Sequence, residues 1–303
     1  DGSGSRLVLL HEGFAAADKE KAKEAGITLD QVAKGEAYLL REVPAKDLMF
    51  YVESHGLKQT LTQSSGIKDS DGYKKFATTA QNYLGMSFED EILSFMDKGY
   101  AIAVSANGDA LFPGLSIFID TSSDEKNAEK FITKIDAQIS GFMTILSAAL
   151  PGAVSKEKVQ ISGEDFNSLV IDFNKIPRTG AGPLPDVLTA SPIRLSYGIL
   201  DGRLLITTAD TWSMDLSTSV GDSDLYSKLS PKLEDVDQGL LLIDLEKIGS
   251  FAGMLRALRS QLGLEVNENF DLQKATEGFY GAILSSRSKS YDSKVEGFLK
   301  LSE

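Results

Sequence analysis

The feature that most limits what this chain can fold into is a series of paired, strand-length apolar runs, each pair closed by a tight turn. Residues 99–106 and 114–120 flank Asn107-Gly108-Asp109, residues 158–162 and 168–173 flank Gly163-Glu164-Asp165, and residues 193–198 and 203–208 flank Leu200-Asp201-Gly202. Turns this short leave no room for a crossover connection, so each pair must run antiparallel. Further strands are expected at 6–10, 47–53, 240–245, 279–286 and 295–301.

Helical patterns fall between these groups instead of alternating with single strands. They include an Ala/Lys/Glu-rich stretch at 15–25 stopped by Gly26, a capping box at 28–31, a segment at 70–83 and another at 246–262. The longest starts at Ser122 or Ser123 and runs to about Leu150, with Ala128, Phe131, Ile132, Ile135, Ile139, Phe142, Met143, Leu146 and Ala149 at helical spacing. Its last part is apolar nearly all round, so a second layer is expected to cover it. Strands in hairpins with helices between groups indicate an α+β fold of antiparallel sheets with packed helices, not a parallel βαβ sheet.

Two halves of the chain show weak similarity in residue type. LMFYVE at 48–53 matches LLLIDL at 240–245, KGYAIAVS at 98–105 matches GFYGAILS at 278–285, and the strand after Gly114 matches the one after Gly297. This predicts an internal duplication. The expected organisation is an N-terminal strand and helical segment at 1–36, a first half at 37–190 and a second at 191–303, joined as one continuous two-lobed unit.

A shorter likeness, DSDGYKKF at 69–76 and DSDLYSKL at 222–229, does not fit that frame, because one follows its strand and the other precedes it. Read as calcium loops the two fail: the positions that need an oxygen donor, a glycine and a bidentate glutamate hold Tyr73, Lys74 and Ala80 in the first, and Tyr226, Ser227 and Leu233 in the second. They read instead as helix starts, where Asp and Ser accept from free N–H groups and favour the positive helix end. The Tyr and the Phe or Leu three residues on are then expected to face the core.

Composition narrows the function classes. The net charge of −13 repels phosphate backbones and anionic surfaces, so no nucleic acid partner is expected. No cysteine occurs, which removes thiol catalysis, disulfides and thiolate metal sites and fits a bacterial envelope protein. No apolar run reaches membrane-spanning length. The chain opens DGSGS without a Met: either a signal or anchor has been removed or the sequence begins inside a longer chain, and the linker-like opening leaves room for a membrane tether N-terminal to residue 1.

Catalytic patterns are sparse. His11 and His55, the two histidines, lie in polar segments expected at the surface, with no G-x-S-x-G elbow and no H-E-x-x-H. Ser-x-x-Lys occurs at Ser123–Lys126, Ser155–Lys158 and Ser286–Lys289 without the companion motifs of acyl transfer, and Gly180-Ala-Gly182-Pro lacks the Lys of a phosphate loop. Glu89, Asp90 and Glu91 could serve a hydrolase as paired carboxylates, but acids also suit a first helical turn. No catalytic, cofactor or metal residue is assigned, and no cofactor is expected. Phe142, Met143, Leu146 and Trp212 are the candidate lining of an apolar ligand site.

The order of segments VPAKDLMFYVE, DSDGYKKF, FEDEILSFMDKGYAIAVS and PGLSIFIDTSSDEKNAEKFITKI, followed by ILDGRLLITTAD, DSDLYSKL and QGLLLIDLEKI, resembles the bacterial domain-of-unknown-function 3352 family over about residues 40–250. The resemblance implies an extracytoplasmic location, often with an N-terminal transmembrane tether, and supplies no catalytic signature. The functional expectation is a non-enzymatic cell-envelope or surface protein acting as a binding or structural module on another protein or an envelope component. The alternatives are an extracytoplasmic carrier of an apolar ligand and a carboxylate-dependent hydrolase.

Overall fold

The computed structural model describes residues 4–11, 37–58, 61, 67–106, 112–176, 191–209, 218–233, 239–261, 271–289 and 292–302. Eleven strands form one antiparallel sheet: β1 (Gly4–His11), β2 (Leu48–Ser54), β3 (Gly99–Ser105), β4 (Gly114–Asp120), β5 (Val154–Ile161), β6 (Glu164–Ile171), β7 (Ile193–Leu200), β8 (Arg203–Thr207), β9 (Gly239–Asp244), β10 (Phe279–Lys289) and β11 (Asp292–Leu301). Their order is β1-β11-β10-β9-β2-β3-β4-β8-β7-β6-β5. Helices are α1 (Asp71–Thr79), α2 (Glu125–Ala149), α3 (Asp224–Leu229), α4 (Leu245–Gln261) and α5 (Leu272–Thr276), with single turns at Leu39–Arg41 and Phe88–Ile92.

The expected α+β arrangement of separate sheets with packed helices in two duplicated halves is therefore corrected. One continuous sheet dominates, and most helical elements are short turns laid on it. LMFYVE and LLLIDL lie side by side at the centre of that one sheet, with Tyr51 opposite Leu242. Burial alternates along both, with Tyr51, Leu240 and Leu242 fully buried and the residues between them half-buried. Among the described strands, joining hairpins into one ladder also leaves only β1 and β5 with an open edge.

Two hairpin turns follow directly from local chemistry. Asp201-Gly202 and Ser162-Gly163 have positive φ at both positions, 48° and 74° in the first and 51° and 90° in the second. That is the twist two-residue antiparallel turns require. The turn expected at Gly163-Glu164-Asp165 sits one residue earlier, because Glu164 already pairs with Ile161.

The core has two layers, one on each sheet face. One joins Tyr51, Phe118, Phe166, Leu205, Leu242 and Ile283 to Leu39, Leu40, Val43 and Leu229 above them. The other joins Ile119 and Leu204 to Met86, Phe88, Ile92, Leu93, Phe95 and Ala128 of the helical layer. At the β1 edge, Arg6 Nε donates to Glu296 Oε1 at 2.8 Å, and Lys294 Nζ lies 3.0 Å from Glu296 Oε2. No described helix is long and apolar enough to cross a membrane.

Candidate functional site

The densest polar cluster lies where the Leu39–Arg41 turn crosses β2. Alternation along the strand puts Tyr51, Glu53 and His55 on one side. The turn has no capping side chain of its own. Glu53 reaches across to cap it: Oε1 accepts from the backbone N–H of Tyr38 at 2.8 Å and of Leu39 at 3.0 Å, and Oε2 accepts from that of Leu40 at 3.1 Å. The Tyr51 hydroxyl also donates to Oε2, at 2.7 Å.

His55 closes the cluster. Its Nδ1 lies 2.8 Å from the Lys98 carbonyl and its Nε2 lies 2.8 Å from Glu53 Oε1. A carbonyl only accepts, so Nδ1 carries hydrogen. Glu53 already accepts from four donors, so Nε2 must donate too and the ring is an imidazolium. Burial pulls the His55 pKa down, but the bonds to Glu53 and to the Lys98 carbonyl outweigh it and leave it raised. Tyr38 stacks at a tilt on the His55 ring, with centroids 5.2 Å apart, and donates its hydroxyl to Asp120 Oδ2. Burial, then that bond, pushes the Tyr38 hydroxyl far up.

This buried group was missed because His55 was expected at the surface. The only sequence signal was period-two spacing with Tyr51 and Glu53 on an otherwise apolar strand. Every nitrogen and carboxylate oxygen named in it has a partner within the cluster, so the cluster anchors the 38–41 turn to the sheet. His11 lies in β1, and its side chain is outside the described residues.

An open cleft of about 530 Å³ lies at the Leu48 end of β2, between Ala45 and Lys46, the second DSD segment, the β9–α4 junction and Tyr280. Asp222, Asp224, Asp244 and Glu246 line it with Lys46 and Lys247. Asp244 caps α4 by accepting the Lys247 N–H at 2.8 Å, and burial raises its pKa. Ser219 Oγ donates to Asp222 Oδ2 at 2.7 Å. Its lining mixes these charged groups with Ala45, Leu48, Leu225 and Tyr280.

The two DSD segments are helix starts, as expected. Ser70 Oγ accepts the Tyr73 N–H at 3.3 Å and Ser223 Oγ that of Tyr226 at 3.1 Å. Among the described residues no group of three His, Cys, Asp or Glu is placed to hold a metal ion. Leu229 is fully buried as expected, but Phe76 is not: it is 60% exposed. Glu89, Asp90 and Glu91 open the Phe88–Ile92 turn and diverge. Glu89 binds Lys68 and Tyr73, and Glu91 binds Lys130. Their bonds to Lys68 and Lys130 lead in lowering both pKa values, the opposite of what a general acid needs.

Among the described residues the expected apolar lining is not gathered into a pocket. Phe142 is 59% exposed, Met143 and Leu146 are half-buried, and Trp212 lies outside the described residues, as does the Gly180 loop. The second layer expected over this end of α2 is absent among the described residues. The helix runs out over the polar edge strand β5, whose Lys156 reaches up to Asp136 at 2.7 Å and Ser140 at 3.0 Å.

No family model matches the chain, and no curated protein matches it. The solved structure of 5-dimethylallyltryptophan synthase from Streptomyces coelicolor aligns over 95% of this chain and 92% of its own, at 11% identity and a TM-score of 0.18, a likeness too slight to carry any argument about fold or activity.

Proposed function

We propose that this chain is a non-enzymatic binding or structural module of the bacterial cell envelope or surface, working outside the cytoplasm. The observation that carries the reading is a group of large apolar side chains left uncovered on the helical layer: Phe76, Tyr83, Phe142 and Ile145 are 60%, 66%, 59% and 67% exposed. Contiguous apolar surface of this kind marks an interaction site more often than a catalytic one. The internal use of Glu53, His55, Glu89 and Glu91 supports the same reading, since these are the groups best suited to chemistry. The missing cysteine and the segment order shared with the domain-of-unknown-function 3352 family support the compartment. Fractionation of the native host tests it. Recovery with the envelope or periplasm is the expected result, and recovery from cytosol alone rejects it.

A further inference from the structure

His55 holds two segments at once. Through Nε2 it holds Glu53, which caps the turn lying over one sheet face. Through Nδ1 it holds the carbonyl of Lys98, at the end of the 96–98 connection. That connection leaves the helical layer of the other face, where Leu93 and Phe95 are fully buried, and enters β3 at Gly99. A second tie joins it to this end of β2: the Gly56 N–H donates to the Asp97 carbonyl at 2.9 Å.

Both contacts need a donor on the ring, and a neutral imidazole has only one. The two acceptors are unequal. Nε2 faces a carboxylate, whose charge strengthens the bond, while Nδ1 faces an uncharged carbonyl. The proton that leaves is therefore the one on Nδ1. Its lone pair then points at the Lys98 oxygen across 2.8 Å, with no hydrogen between them. The ring cannot retreat on the β3 side, because a Cβ on Gly99 would lie 2.6 Å from Nδ1 and ring and backbone are already in contact. Tyr38 stacks on the ring, and Glu53 holds its far nitrogen. The 96–98 connection is left as the part that gives way. Opening it also relieves a cost, since Asp97 Oδ1 is buried without a hydrogen-bond partner and would gain water.

We propose that His55 is a proton-controlled clamp on the 96–98 connection, closed while both ring nitrogens carry hydrogen and open once Nδ1 gives up its proton. Among the described residues, the charged and titratable groups around the ring are Glu53 and Tyr51 of β2, Tyr38 of the turn, Asp120 at the end of β4 and Lys98 itself; Arg203 acts on Tyr38, and Lys98 on Asp120. Burial pulls the ring's pKa down, but Glu53, the Lys98 carbonyl and Asp120 outweigh it, so the clamp opens above the usual histidine range and not below it. The buried Leu93 and Phe95 keep the helical layer in place, which makes the opening local. The clamp does not depend on where the protein works.

Imidazole and backbone NMR of the isotope-labelled full chain tests this, with titration from about pH 5 to about pH 9 and H11Q to tell the two histidines apart. Both His55 ring nitrogens should carry hydrogen in mild acid. As pH rises, Nδ1 should lose its proton while Nε2 keeps its own. The Lys98 carbonyl carbon and the Gly99 and Gly56 amides should shift with the same midpoint, and the Tyr38, Leu39 and Leu40 amides should hold still. Exchange protection at Gly56, corrected for the intrinsic rate at each pH, should drop at least about fivefold. E53Q, which keeps the shape without the charge, should lower the midpoint by about one to three pH units; where E53Q fails to fold, the wild-type titration still decides. Loss of the Nε2 proton first, a Lys98 carbonyl that ignores the ring's titration, a ring whose protonation does not change across this range, or loss of near-ultraviolet circular dichroism in the same step would each overturn the clamp. The last result would leave only a global stability effect of the pair.

Discussion

His55 Nε2 and Glu53 Oε1 meet at 2.8 Å with side chains only 1% and 0% exposed, forming an imidazolium–carboxylate pair inside the sheet's upper layer. The groups facing His55 are Glu53 and Asp120, both favouring its charge, and the Lys98 carbonyl. Because the folded pKa lies above the unfolded value, its contribution to stability is complete below about pH 6.5 and fades as pH rises through the folded value. Thermal unfolding followed from mild acid into the alkaline range should show a falling midpoint. H55Q should flatten that slope.

Glu53 has more partners than the histidine alone, since it also holds three backbone N–H groups and a buried hydroxyl. E53A leaves the imidazolium and the donors uncompensated and should cost about 3–5 kcal/mol in denaturant unfolding. E53Q keeps the shape and should cost less. Equal losses in the two would show that charge, not packing, is what Glu53 supplies.

On the acid side the Tyr38–Asp120 contact acts in the opposite sense. Burial raises the Asp120 pKa, but bonds from Ser122 and Tyr38 outweigh it and leave the carboxyl lowered. Its stabilisation is present above the usual carboxylate range and disappears as pH falls through the folded value. Y38F should lose about 0.5–1.5 kcal/mol at neutral pH, or up to about 3 if the charged acceptor counts in full. It should also shift the acid unfolding midpoint upward.

Gly99 is required by proximity and not by its backbone conformation. A Cβ there would lie 2.6 Å from His55 Nδ1 and 2.9 Å from Cε1. G99A must push the ring off the Lys98 carbonyl and should destabilise by about 1–3 kcal/mol. The His55 ring resonances in NMR should move with it. By contrast G141A, in open space on α2, should stabilise by up to about 1 kcal/mol through helix propensity.

The two serine caps give a comparison within one chain. S70A and S223A should each cost about 0.5–2 kcal/mol. The larger loss should fall at Ser223, whose helix buries Leu225 and Leu229, whereas α1 buries none of its residues. Calorimetric titration with calcium should give no heat at either segment.

The strands could be read locally because turn residues and apolar runs act over a few residues. The 114–120 strand matches β4, and the long helix matches α2 to within a few residues at each end. What could not be read is which hairpins join. β2 meets β9, and β4 meets β8, across long sequence separations, and no local pattern specifies those registers. His55 was misplaced because a polar neighbourhood in sequence says nothing about the turn that folds over it. Phe76 and Phe142 kept the spacing of a core stripe while ending on a surface with no cover among the described residues.

The position of β1 carries its own consequence. Leu7 lies opposite Gly297, and the guanidinium of Arg6 is held by Glu296. Gly4 pairs with Lys300, so this margin closes only when two segments far apart in the sequence meet. Removing β11 should therefore release β1 with it, and hydrogen exchange should show the two strands opening together.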